Sequence, residues 1–174
     1  ATIIGLNCLL QLKWSPAQMA EVGQSLGSDV PFFLFAPAAC VTGRGETVRP
    51  VVVEGARWVV LVNPGFGVNT KWAYQELAAT RTSVRPLSHA QQELDRQSRM
   101  GWAQLMAAAE NDFEAPVFAA HGTLREIKQS LQAHGAEIAL LSGSGATVFG
   151  VFADEARARC AHAQFVSEKF TNVF

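Results

Sequence analysis

The sequence predicts an α+β fold with helices on one face of a largely antiparallel sheet, and three observations carry this. Of the 174 residues 49% are hydrophobic and 17% charged, enough apolar material for a core and far from the composition of a disordered chain. Short extended segments cluster early and are joined by glycine and proline turns. A helix, strand, turn, strand and helix then follow one another toward the end of the chain.

Taken in order, Ala1 to Leu12 has an apolar helical pattern with no cap before it. With Ala rather than Met at position 1, the expectation is that an upstream segment satisfies those first amides. Ser15-Pro16-Ala17-Gln18 has the form of a capping box, and Gly27 closes the helix it opens. Ala38 to Thr42 and Thr47 to Val53 read as strands around Gly43-Arg44-Gly45-Glu46, and Arg57 to Val62 as a strand ending at Asn63-Pro64-Gly65. Thr70 to Ala78 is expected to be helical, and Thr80 to His89, without periodicity, to be a mobile loop. Helices follow at Gly101 to Glu110 and Glu114 to His121. Thr123 is expected to cap a helix carrying Leu124, Ile127 and Leu131 that ends at His134-Gly135. Strands Glu137 to Leu141 and Thr147 to Phe152 flank a glycine turn. Asp154 caps a last helix through about Lys169, and Phe170 to Phe174 is expected to form a terminal strand. A join near Glu54 to Ala56 divides residues 1–55 from 56–174.

Several function classes are disfavoured by composition. A net charge of -1, from 14 basic and 15 acidic residues with no run of one sign, leaves no footprint for nucleic acid or anionic lipid. The apolar stretch Pro31 to Val41 is interrupted by prolines and is shorter than the ~18 residues of a membrane span. Ala1 to Leu12 has no basic leader, so neither secretion nor membrane insertion is expected. Cys8, Cys40 and Cys160, odd in number and set among apolar neighbours, suit buried thiols in a reducing compartment, the cytoplasm. The four histidines lack metal-ligand spacing, and His134 reads as a helix-end cation. Trp14, Trp58, Trp72 and Trp102 read as core or interface anchors, with Trp72 alone in a candidate ligand segment. Arg44 either meets phosphate or is solvated.

Two segments carry possible chemistry. Asp29, after Gly27 and before Val30-Pro31-Phe32-Phe33, either caps the next helical turn or is a carboxylate beside an apolar wall, able to orient or deprotonate a hydroxyl. Leu141-Ser142-Gly143-Ser144-Gly145-Ala146-Thr147 is either a tight hairpin or a nest whose amides approach an anion. It is not a Walker loop, because no lysine follows in the required place, and not a dinucleotide fingerprint, because a strand follows it.

Together, and in this order, Gly27-Ser28-Asp29-Val30-Pro31-Phe32-Phe33, Val41-Thr42-Gly43-Arg44-Gly45-Glu46, Asn63-Pro64-Gly65 to Thr70 and Ser142-Gly143-Ser144-Gly145 resemble the GHMP small-molecule kinases, and among them the diphosphocytidyl-methylerythritol kinases. The likeness spans nearly the whole chain. It implies a remnant of an N-terminal ATP- and substrate-binding domain at 1–55 and a GHMP kinase C-terminal domain at 56–174. It implies transfer of the ATP γ-phosphoryl group, assisted by Mg²⁺, to a hydroxyl of a cytidine-diphosphate substrate of non-mevalonate isoprenoid biosynthesis. By the same resemblance Asp29 matches the catalytic aspartate, Gly143, Ser144 and Gly145 bind nucleotide, and Thr70 and Tyr74 contact substrate. Tyr74 departs in detail from the family pattern, so base stacking is implied and a specific hydrogen bond is not. The family's main phosphate loop and an early lysine would lie upstream of Ala1, so the chain alone is expected to be a partial, inactive enzyme. Another GHMP kinase, acting on homoserine, mevalonate or a sugar, is the alternative, disfavoured by the Asn63 to Tyr74 segment. A catalytically inert binding or structural domain is the second.

Overall fold

The computed structural model describes residues 1–174 apart from Ser28, Phe35, Ala36, Pro37, Arg44, Glu46, Thr82, Val84, Lys169 and Thr171. Helices α1 (Thr2–Leu9) and α2 (Pro16–Leu26) lead through a 3-10 turn, Pro31–Leu34, to strands β1 (Ala39–Thr42), β2 (Thr47–Pro50), β3 (Val52–Glu54) and β4 (Trp58–Asn63). Then come α3 (Thr70–Thr80), α4 (His89–Arg96), β5 (Arg99–Gly101), α5 (Trp102–Ala108), α6 (Glu114–Ala120) and α7 (Gly122–Ala133). Strands β6 (Ile138–Leu141) and β7 (Val148–Phe152), helix α8 (Glu155–Ser167) and strand β8 (Asn172–Val173) complete the chain. It divides into two compact units, Ala1–Glu54 with His89–Gln104, and Gly55–Ser88 with Leu105–Phe174.

In the first unit α1 starts without a side-chain cap, whereas α2 has the full capping box: the Gln18 amide donates to Ser15 Oγ at 3.3 Å and the Ser15 amide to Gln18 Oε1 at 2.9 Å. Gly23 is buried in α2, and a Cβ there would stand 3.0 Å from Val30 Cγ1, so glycine is what lets the turn carrying Asp29 lie against the helix. The expected strand Thr47 to Val53 is two strands. The Val51 amide donates to Ala38 O, but that of Val52 donates to Ser98 O, so the chain changes partner between them. From there β3 runs parallel to β5. Neither α4 nor β5 was predicted. Arg49 ties the end of α4 to β2 by donating to the carbonyls of Leu94, Asp95 and Gln97. Arg44, expected to meet phosphate or solvent, lies outside the described residues.

The second unit is built on a four-stranded sheet in the order β6-β7-β4-β8, antiparallel throughout. Along β4 the burial alternates: Val60 and Val62 are buried while Val59 and Leu61 are exposed, so one face takes the core. Leu124, Ile127 and Leu131 of α7 and Ala158, Ala161 and Phe165 of α8 fill it, the expected arrangement of helices on one face. Gly150 lets α7 close on the sheet, since a Cβ there would stand 2.9 Å from Leu131 Cδ2.

Three expectations are corrected. Thr123 does not cap α7: the chain turns from α6 into α7 through His121 alone, and the helix begins at Gly122 with no side-chain cap. The thiols are not buried, because Cys8 and Cys160 are exposed and Cys40 is half-buried. Cys160 lies on the outer side of α8, whose inner side is spent on Ala158, Ala161 and Phe165. Trp58 is 46% exposed, so of the core and interface roles expected for it the core one is excluded. Residues 81, 83 and 85–88 form neither helix nor strand, and Thr82 and Val84 lie outside the described residues.

Candidate active site

Hairpin geometry comes first in the glycine loop. The Ser142 amide donates to Thr147 O at 2.8 Å and the Gly145 amide to Ser142 O at 2.9 Å, closing β6 onto β7. Gly143 and Gly145 both have positive φ, +54° and +95°, which favours glycine. The three candidate anion ligands are therefore not equivalent. The amide of Gly145 is spent inside the turn, whereas among the described residues those of Gly143 and Ser144 meet no acceptor in the chain. Beside Gly143 there is open space, since a Cβ there would meet nothing within 4 Å. Two adjacent amides with no acceptor in the chain are donors of the kind that bind an anion.

The Asn63-Pro64-Gly65 turn leads to this loop. Asn63 Oδ1 accepts from the Gly65 amide at 2.9 Å while its Nδ2 donates to Thr147 Oγ1 at 3.1 Å, tying the end of β4 to the end of the loop. Asn69 caps α3 by accepting from the Trp72 amide at 3.0 Å. That start places Thr70, Tyr74 and Leu77 on one helix face, and Arg81 follows just past the helix end. Thr70 Oγ1 stands 3.0 Å from Ser144 Oγ, within hydrogen-bond distance. Tyr74, 60% exposed, meets Phe113 edge to face with ring centroids 4.9 Å apart. Tyr74, Leu77, Arg81, Phe113, Ser142 and Gly143 are among the residues that line a cleft of about 610 Å³. Trp72 turns the other way, packing against the core and edge-on to His121 at 5.7 Å, so it is not a ligand platform.

Two residues that sequence reasoning missed hold the loop. Asn111 donates from Nδ2 to Leu141 O at 2.7 Å and to Gly143 O at 2.8 Å, and its Oδ1 accepts from the Phe113 amide at 2.9 Å. Glu114 accepts from the Leu141 amide at 2.9 Å and is paired with Lys128 at 2.5 Å. The cleft rim is charged but compensated. Arg81 pairs with Asp112, and Arg85 with Glu110, a hydrogen bond that raises the Arg85 pKa further above its ordinary value. Asp29 belongs to the other unit, where it is exposed in the turn between α2 and Pro31. The structure thus brings Thr70, Tyr74, Gly143 and Ser144 together, and carries Asp29 on a separate unit. Among the described residues no group of three His, Cys, Asp or Glu side chains could hold a metal ion.

Residues 90–172 of the chain match the family described as GHMP kinases C terminal. The relatives it matches are more specific. It is 38% identical over 165 residues to the 4-diphosphocytidyl-2-C-methyl-D-erythritol kinase of Geobacter sp. strain M21, covering 93% of this chain and 55% of the relative. The crystal structure of a 4-(cytidine 5'-diphospho)-2C-methyl-D-erythritol kinase superposes with a TM-score of 0.71 at 25% identity, covering 98% of this chain and 59% of that one. Homoserine kinase from Cytophaga hutchinsonii superposes with a TM-score of 0.73 at 15% identity over 97% of this chain and 60% of that one, a likeness of fold. The chain thus spans about 55% of the length of the curated relative.

Proposed function

We propose that this chain works as part of an ATP-dependent kinase that phosphorylates a hydroxyl of 4-diphosphocytidyl-2-C-methyl-D-erythritol in the non-mevalonate route to isoprenoid precursors. The observation that carries the reading is the 3.0 Å approach of Thr70 Oγ1 to Ser144 Oγ, which joins the segment proposed for substrate to the loop proposed for nucleotide phosphates. A kinase needs those two ligands side by side. In this reading the Gly143 and Ser144 amides face phosphate oxygens and Tyr74 stacks on the cytosine. Asp29 accepts the proton of the substrate hydroxyl as its oxygen attacks the γ-phosphorus and the bond to the bridging β,γ-oxygen breaks, releasing ADP. Mg²⁺ would arrive on the ATP, keeping water and nucleotide phosphates as ligands. Residues 1–55 are assigned to the N-terminal domain of such a kinase and 56–174 to its C-terminal domain. The protein is expected to act in the cytoplasm. No helix of the described residues is long and apolar enough to cross a membrane.

Steady-state kinetics on the intact protein that carries this chain test the reading. Phosphate transfer from ATP is expected to the cytidine-diphosphate alcohol and not to homoserine or mevalonate. Asn in place of Asp29 keeps the shape and much of the capping capacity, so Asp29→Asn should lower turnover by roughly 10², the lower range for losing a positioned base, with little change in melting temperature. A variant that melts early yet keeps its turnover number removes Asp29 from the chemistry. Turnover of homoserine instead would favour the alternative kinase.

A further inference from the structure

We propose that Asn111 is the positioning residue that aims the Gly143–Ser144 peptide at the anion, an assignment that rests on the nucleotide reading of this loop. A trans peptide unit is planar, with its C=O and N–H pointing in opposite directions, so fixing one fixes the other. Asn111 fixes two such units with one carboxamide, through 2.7 Å to Leu141 O and 2.8 Å to Gly143 O. With Leu141 O held by Asn111, the Ser142 N–H on the same peptide points the other way and donates to Thr147 O at 2.8 Å. By the same geometry, Gly143 O held by Asn111 turns the Ser144 N–H away from Asn111 and leaves it for a ligand.

The residue type follows from the donor count. Both hydrogens of the carboxamide are used, and its oxygen is used as well, accepting from the Phe113 amide at 2.9 Å. Aspartate is isosteric but has no donors when ionised, and would face the two carbonyl oxygens with negative charge. The anchor is itself fixed. Glu114, three residues on, accepts from the Leu141 amide at 2.9 Å and is tied to Lys128 at 2.5 Å, so the outer edge of Leu141 is held on both its N–H and its C=O. Asn111 touches no reacting group; it acts through the peptide it orients.

The test is ATP and alcohol-substrate binding by calorimetry on Asn111→Asp in the intact protein, with amide resonances of Gly143 and Ser144 followed as ATP is added to the wild type. Weakening of ATP by roughly tenfold or more, with alcohol-substrate affinity within about twofold of wild type, supports the assignment. Equal weakening of both ligands with a lowered melting temperature would show a purely structural role and overturn it. Unchanged ATP affinity in a variant that melts like the wild type would overturn it too. If Asn111→Asp does not fold, Asn111→Ser removes the carboxamide without adding charge and faces the same criteria. Wild-type amides that stay still at saturating ATP would instead sink the nucleotide reading of the loop, an outcome seen without any variant.

Discussion

Tyr74 contributes little to the fold: it is 60% exposed and its main neighbour is the ring of Phe113. Its truncation therefore reports on ligand more than on stability. In the intact protein, Tyr74→Ala should weaken the cytidine-bearing substrate by about 1–3 kcal/mol, the worth of one base stacked on an aromatic, while leaving ATP affinity nearly unchanged. Titration calorimetry with each ligand separates the outcomes, since equal losses for both would mean a packing role. At this scale the sequence was informative where a local rule applies. The spacing of Thr70 and Tyr74 puts both on one helix face, and the two loop glycines follow from positive φ. Asn111 was not legible, because its partners Leu141 and Gly143 are 30 and 32 residues away and a single asparagine carries no pattern. Cys40 was misread for a related reason. Partial burial and a hydrogen bond to Asp95 push its thiol pKa up, but Asp95 belongs to α4, a helix the sequence reading did not contain.

Among the elements, the most legible were those whose ends announce themselves. Ser15 opens α2 and Asp154 opens α8, where it accepts from the Arg157 amide at 2.9 Å. Helix α4 escaped because its His-Ala-Gln-Gln-Glu-Leu-Asp-Arg sequence has a single large apolar residue, Leu94, so no apolar stripe marks it. The Ser88-His89-Ala90-Gln91 pattern before it has the capping-box form and could have found it. Strand β5 escaped because its three residues matter only through pairing with β3, some 47 residues earlier, and no local signal encodes that. The packing of α8 on the sheet gives the clearest energetic contrast. Phe165 is 1% exposed and meets Phe170 edge to face at 5.7 Å, while the next residue, Val166, is 51% exposed. Phe165→Ala should cost about 3–5 kcal/mol through lost burial and an unfilled cavity, and Val166→Ala should stay within about 0.5 kcal/mol. Urea unfolding of the two variants measures the difference, and similar midpoints would mean that α8 is not packed as described.

For the molecule as a whole, the question is how much of a nucleotide site 174 residues provide. The loop offers two amides and the Ser144 hydroxyl. Arg81, which lines the cleft, is already paired with Asp112, and Arg85 with Glu110. A net charge of -1 adds no general attraction for a polyanion. A few hydrogen bonds at about 1–3 kcal/mol each, set against the several kcal/mol lost when a free ligand is immobilised, leave little for affinity. Micromolar binding corresponds to about 8 kcal/mol and millimolar to about 4. This chain by itself is therefore expected to bind ATP no more tightly than about 100 μM and to show no turnover. Calorimetry on the 174-residue chain decides it. A micromolar dissociation constant that survives Ser144→Ala would place the nucleotide elsewhere on the chain, and one lost with Ser144→Ala would mean that the loop binds phosphate more strongly than its donors suggest.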